Sequence, residues 1–227
     1  MSNFQDLLTK SRGYGAVEKK EQESEEKQKS FVNRFYLKAG SEAKIVFLDD
    51  NPPVIEEHQL QINGDWRNWF TCKRLLNEPC IICEELKDNP YTVGFYTILD
   101  LTEYTIQKGA RKGEVIKNSV KLFTPKLKAL NLIKRQSQKR GGLELCVFDV
   151  YRSSADAFNV GDSFEFETKV TWDEIKQLNA DAAPFDYAEI LEPKTDGELK
   201  RIFNRNTQSN LDTGVGDYEE SADEVDF

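Results

Sequence analysis

Residues 58–83 read HQLQINGDWRNWFTCKRLLNEPCIIC, and this stretch decides the reading of the chain. It holds the only histidine, His58, and three of the four cysteines, Cys72, Cys80 and Cys83. Zinc takes four nitrogen or sulfur ligands at the corners of a tetrahedron, and a Cys-x-x-Cys knuckle puts two thiolates on one ion. Asn63-Gly64-Asp65 is a hairpin signal. Such a hairpin folds His58 back towards Cys72, and Pro79 stiffens the entry to the knuckle. The expected ligands are therefore His58, Cys72, Cys80 and Cys83, holding one structural Zn2+, because four protein ligands leave no open position. Two other readings stand beside this one. The cysteines can be a chance cluster of buried thiols, or Cys146 can replace His58 as the fourth ligand. Cys146 lies in the strand-like run LCVFDV, where a small buried residue is the simpler account.

Working outward, the flanking sequence is β-rich. Ile45-Val46-Phe47-Leu48 reads as a buried strand, and Asp49 to Pro53 as a break. His58 to Ile62 and Trp66 to Thr71 form the hairpin, and Cys72 to Pro90 a loop-rich insert. Tyr91 to Tyr104 is one long β run, and Val115 to Phe123 another strand. Pro125 opens a helix with an apolar face through Leu127, Leu130 and Ile133, which Gly141-Gly142 ends. Leu143 to Tyr151 and Ser163 to Thr171 are late strands, with a short helix over Trp172 to Leu178. The expected class is mainly β: an OB-fold-like Greek-key barrel with a small zinc subdomain and one or two short helices. A β-sandwich has the same strand count. The expected organisation is an N-terminal arm at 1–30, a core at 31–192 with the zinc insert at about 58–90, and a linker with a disordered acidic tail at 193–227. The arm includes EKKEQESEEKQK, which has no apolar residue to bury.

The chain of 227 residues carries a net charge of −9, which argues against a nucleic-acid partner until the charge is mapped. Between residues 108 and 140 there are eleven basic residues and one acid, Glu114, a local charge of +10. A charge run is usually a solvated face. A one-sided run of this size repels itself unless an anion offsets it. Aromatic residues lie close by in the sequence. Single-stranded nucleic acid is bound by cations that follow the phosphates and rings that stack on bases, at about 1–3 kcal/mol per base. The candidate contacts are Trp66, Arg67, Trp69, Lys73, Arg74, Tyr91, Phe95, Tyr96, Tyr104, Lys108, Arg111, Lys112, Lys117, Lys121, Phe123 and Lys126. Each ring among them has a core reading as well as a stacking one. On alternating strand geometry, Trp66 and Trp69 fall on opposite faces.

Residues 212–227 read DTGVGDYEESADEVDF, with seven acids and no base. This stretch is too polar to fold alone. It reads as a solubilising end or as a handle for partner proteins, with Asp223, Glu224, Asp226 and Phe227 as the expected contacts. It can also compete with DNA for the basic groove. No apolar run is long enough to cross a bilayer, and Met1 to Lys10 lacks the order of a signal peptide, so a cytoplasmic location is expected.

With these features in place, the chain resembles the T4-type phage single-stranded DNA-binding proteins. The resemblance is carried by KIVFL, HQLQINGDWRNWFTC, PCIICEEL, VGFYTILDL, VKLFTPKLKALNLI and VGDSFEFE, over about residues 31–170. It implies an OB-fold with a structural zinc subdomain beside a basic, aromatic groove. It also implies coating and protection of single-stranded DNA in phage replication, recombination and repair. The expected protein partners, met through the tail, are polymerase, helicase, primase or recombination factors. The chain itself is expected as a monomer or as weakly self-associating along DNA in the host cytoplasm. The family's N-terminal basic and hydroxyl motif is matched only by Thr9-Lys10-Ser11-Arg12, and the terminal Asp-Phe is more similar to tails of T7-type and bacterial single-strand binders. Three other classes compete. A zinc nucleobase deaminase shares Pro79-Cys80-x-x-Cys83, but His58 is followed by Gln59 and Leu60 where that enzyme needs His-x-Glu. The other two are an RNA binder and a zinc-bearing interaction protein that never touches nucleic acid. The chain is not expected to be an enzyme.

Overall fold

The computed structural model describes residues 32–106 and 112–205. The arm at 1–30, Lys108, Arg111 and the tail residues Asp223, Glu224, Asp226 and Phe227 lie outside the described residues.

The described part is mainly β. In chain order the strands are β1 (Glu42–Phe47), β2 (Val54–Gln59), β3 (Trp69–Thr71), β4 (Tyr91–Gly94), β5 (Tyr96–Asp100), β6 (Tyr104–Thr105), β7 (Val115–Ile116), β8 (Ser119–Phe123), β9 (Cys146–Tyr151) and β10 (Ser163–Lys169). Helices are few and mostly short: α1 (Ile81–Glu84), α2 (Leu127–Arg140), α3 (Trp172–Leu178), α4 (Tyr187–Ile190) and α5 (Asp196–Arg205). The strands form a five-stranded sheet in the order β10-β9-β1-β5-β8, a three-stranded sheet β3-β2-β4, and a ribbon β6-β7. All strand pairings in these sheets are antiparallel.

The five-stranded sheet is covered on both faces, which explains the unbroken apolar run at β1. Ala43, Ile45 and Phe47 point into the main core with Tyr96, Ile98, Phe123, Phe148 and the α2 residues Ala129 and Ile133. Val46 and Leu48 point the other way, to Leu99, Val147 and Ile175 of α3. A strand buried on both sides has no polar face to alternate with. A reciprocal capping box between Thr171 and Glu174 starts α3. The extended segment from Arg34 to Leu37 bridges towards both edges of this sheet. The Phe35 N–H donates to the Leu122 carbonyl of β8, and the Leu37 N–H to the Asn159 carbonyl just ahead of β10, at 2.8 Å each.

Three expectations change. The run from Val115 to Phe123 is two strands, β7 in the ribbon and β8 in the five-stranded sheet, separated at Asn118 with a positive φ of 51°. The run from Tyr91 to Tyr104 is not one strand. It breaks at Phe95, where the chain passes from the three-stranded sheet to the five-stranded one. Gly94 makes this crossing close against α2: a Cβ there would lie 2.7 Å from Leu130 Cδ1. The segment after Pro193 is also not merely a linker. Thr195 and Glu198 exchange hydrogen bonds that cap α5, and its Leu199 and Phe203 are buried among Leu60, Ile62, Phe70, Ile81 and Ile82. Helix α5 is thus part of the second hydrophobic core, which surrounds the Cys-rich insert.

The segment leading to α5 is pinned by a buried polar cluster. The Tyr187 hydroxyl donates to Asp49 Oδ2 at 2.5 Å, and the Thr97 N–H donates to the same oxygen at 2.9 Å. Asp49 Oδ1 is buried with no hydrogen-bond partner among the described residues. Burial holds the Asp49 carboxyl above its ordinary value of 3.8, against the hydrogen bonds from Tyr187 and Thr97.

Two outcomes follow from this packing. Leu199→Ala removes a buried side chain from the second core and is expected to lower unfolding stability by about 2–4 kcal/mol in urea titrations. Lys200→Ala, on the exposed side of the same helix, is expected to stay within about 0.5 kcal/mol. Because the folded pKa of Asp49 is raised, the native state keeps a proton that the unfolded chain has already lost. Wild type should therefore lose stability relative to Asp49→Asn as pH rises from 3.8 through the folded value. A pH-independent difference between the two proteins would contradict the assignment.

Candidate metal centre and nucleic-acid interface

The hairpin that positions the histidine is set by two backbone angles. Asn63 and Gly64 both have positive φ, 55° and 81°, as a type I′ turn requires. The turn returns the chain so that His58 pairs with Phe70 in β3, and the Cys72 N–H donates to the Glu56 carbonyl at 2.9 Å. A 3-10 turn at Lys73–Leu76 closes on Asn77 in the left-handed region and swings the chain to the knuckle. Cys80 is the N-cap of α1 and Cys83 lies within its single turn, so both sulfurs face the same point.

His58, Cys72, Cys80 and Cys83 are all buried, and their ligand atoms lie within 4.8 Å of one another. Cys72 Sγ is 3.7 Å from Cys83 Sγ. His58 Nε2 is 3.4 Å from Cys83 Sγ and 3.6 Å from Cys80 Sγ. A tetrahedral zinc site with ordinary bond lengths has edges of about 3.8 Å between sulfurs and about 3.5 Å from sulfur to nitrogen. The cluster therefore has the size to bind one metal ion and is compatible with zinc. Cys146 is not part of it. It lies buried in the main core with its Sγ 3.7 Å from the Gly142 carbonyl.

The thiol electrostatics show what a cation would supply. Burial pushes Cys83 up to about 12, with Cys72 and Cys80 beside it adding to the effect. Burial also raises Cys72. Burial opposes ionisation of Cys80 too, but backbone N–H groups of Cys83, Lys73 and Ile82 outweigh it and hold that thiol below its ordinary range. Without a cation, three thiolates in this space repel one another. A divalent ion reverses that balance and deprotonates all three.

One residue of the centre escaped the sequence reading. Asp88 is 7% exposed, and its Oδ2 lies 2.6 Å from His58 Nδ1. A carboxylate there accepts from Nδ1–H and leaves the Nε2 lone pair facing the cysteines, as outer carboxylates commonly do in metal sites. Glu57, next to His58 in the chain, faces the opposite side of β2. It accepts from Arg34 Nη1 at 2.8 Å and from the Tyr91 hydroxyl at 3.0 Å.

The expected nucleic-acid contacts separate into groups. Phe95, Tyr96 and Phe123 are buried, at 0%, 3% and 0% exposure, and are not available for stacking. Tyr96 and Phe123 pack edge-on with Phe47 in the main core. Three expected cations are engaged by acids. Arg67 pairs with Asp65, Lys73 with Glu78 and Asp196, and Lys121 with the buried Asp100. Arg74, Lys112, Lys117 and Lys126 are exposed. Trp66, Trp69, Tyr91 and Tyr104 are half-buried. Three of these rings carry a cation: Arg34 lies 4.1 Å from the Trp69 centroid, Lys126 4.4 Å from Tyr91, and Lys121 5.0 Å from Tyr104. Arg34 was not expected; a lone arginine at the start of a β-rich stretch gave no signal. Trp66 precedes β3 in the hairpin loop, so the two tryptophans do not share a surface through strand alternation.

Neither the protein-family models nor the curated proteins include a match to this chain. Among the described residues, no helix is long and apolar enough to cross a membrane.

The geometry around His58 yields one measurement. Asp88→Ala is expected to weaken metal binding about 10- to 100-fold in competition with a chromophoric chelator. Asp88→Asn keeps an acceptor for Nδ1–H and should fall between that variant and wild type.

Proposed function

We propose that the chain is a single-stranded DNA-binding protein built on an OB-like β core, with one structural Zn2+ held by His58, Cys72, Cys80 and Cys83. The observation that carries this reading is the run of exposed basic residues from Lys112 through α2. Lys112, Lys117, Lys126, Lys128, Lys134, Arg135 and Lys139 are exposed, and from residue 115 to 140 the chain has no acid. Half-buried rings, Tyr91 and Tyr104, accompany the cations. Cations for phosphates and rings for bases, without a fixed code of hydrogen bonds, suit a flexible single strand. The five-stranded sheet with α2 between β8 and β9 is in keeping with an OB-like arrangement. The acidic segment at 212–227 would serve as a handle for replication, recombination or repair proteins and as a competitor for the basic face.

The deaminase alternative gains no support from the site. Its proton-moving glutamate would have to stand beside the metal, whereas Glu57 is bound to Arg34 and Tyr91 across the strand. Asp88 contacts the ring nitrogen that faces away from the thiols.

The test is fluorescence anisotropy with single-stranded DNA, duplex DNA and RNA of matched length over a salt series. A preference for single strands, weakening steeply with salt, is expected. A protein ending at Thr207 should bind more tightly, most visibly at low salt. Equal affinity for the duplex would falsify the reading, and stronger binding to RNA would redirect it. Separately, chelation should lower the thermal midpoint and expose the three thiols to a thiol reagent. An unchanged midpoint after metal removal would overturn the structural role of the ion.

A further inference from the structure

Where α2 begins, its first turn and β4 border an open cleft of about 380 Å3. Its lining is Tyr91, Thr92, Lys126, Leu127, Lys128 and Phe158. The lining is mainly apolar, contributed by two aromatic residues, one leucine, one threonine and two lysines, with no acidic residue. Leu127 is 54% exposed and offers an apolar surface at the mouth of the cleft. The volume is near the lower end of small-ligand sites, which run roughly 300–1,000 Å3. That is room for one nucleotide and not for a longer stretch.

The walls are fixed from behind. The Tyr91 hydroxyl donates to the buried Glu57 carboxylate, which Arg34 grips with two nitrogens. Burial pushes this hydroxyl well above its ordinary pKa, so it remains a donor. Lys126 lies over the Tyr91 ring, 4.4 Å from its centroid. Phe158 rests on the main core as a partly buried ring. Gly94 lets Leu130 approach β4 closely, which sets the spacing between strand and helix. Lys126 is also the N-cap of α2, where positive potential from the first turn of the helix adds to the two lysines.

We propose that this cleft is a discrete subsite for one nucleotide of a bound strand, its phosphate at Lys126 and Lys128 and its base against Phe158 and Leu127. The subsite rests on the single-strand reading above and sharpens it. The basic face follows the backbone without register, whereas this cleft fixes one nucleotide in place.

The experiment uses the full chain and an eight-residue oligothymidylate carrying one 5-iododeoxyuridine. Leu127→Glu places a carboxylate at the mouth of the cleft while removing only an exposed side chain. Lys200→Gln, on the exposed side of α5, changes the net charge equally and lies outside the cleft and the basic face. Leu127→Glu is expected to weaken binding about tenfold, the loss of one stacked base, and Lys200→Gln about twofold or less. Photo-crosslinked peptides from wild type should carry Phe158 or Tyr91. If wild type binds the oligonucleotide, yet the two variants weaken equally and the crosslinks map elsewhere, the subsite is overturned and the single-strand reading survives. If wild type binds no single strand at any salt concentration, the reading of function falls and the subsite falls with it.

Discussion

Three thiols and one imidazole, buried within 4.8 Å of one another, impose the strongest constraint in the molecule. Packed without a cation, the Cys83 and Cys72 thiols are pushed up by burial, and Asp88 Oδ2 lies 2.6 Å from His58 Nδ1. A divalent ion there would close the same atoms into a polyhedron, with Asp88 as an outer partner of the imidazole. That closure would support the small second core. Its apolar residues, Leu60, Ile62, Phe70, Ile81 and Ile82, come from a hairpin, a loop and one helical turn, with Leu199 and Phe203 added from α5. So few residues rarely hold a fold by burial alone, and metal-stapled subdomains are the usual remedy.

The main core makes the opposite choice. It is held by sheet layers and by interlocked rings, Phe47 against Tyr96, Phe123 and Phe148. On the other side of β2 from His58, Glu57 is 2% exposed, with its charge met by Arg34 and its second partner Tyr91 at the edge of the cleft. A buried ion pair of this kind adds little net stability, since desolvation offsets most of its attraction. Its value is directional. It sets the angle of the Tyr91 ring and, through Arg34, of Trp69.

What the sequence disclosed follows from how local each signal is. The four ligands were legible because one histidine and a knuckle fall within 26 residues, and the chemistry of such a set is narrow. Helix α2 and its Gly141 stop were legible from periodicity and a left-handed cap. Asp88 was hidden because a single acid in a loop has no spacing rule; only the fold carries it 30 positions back to His58. Helix α5 was missed although Thr195-x-x-Glu198 is a capping-box pattern and Leu199, Ile202 and Phe203 recur at helical spacing, because the polar surroundings read as a linker. Phe95, Tyr96 and Phe123 were ambiguous in principle, since strand rings look alike whether they face a base or a core.

The placement of α5 has a consequence for biosynthesis. Lys73, in the loop between the ligands, and its partner Asp196 are 123 residues apart in the chain. A ribosome therefore releases all four ligands long before it releases the helix that covers their apolar surroundings. Metal capture would be able to come early, but completion of the subdomain waits for the whole five-stranded sheet to emerge. During that interval Leu60, Phe70 and Ile82 lack their lid, and a nascent chain is most exposed to wrong partners then. Early binding of the ion would shorten the search by holding the loop in register until α5 arrives, so the order of events in synthesis is written into the distance between a lysine and an aspartate.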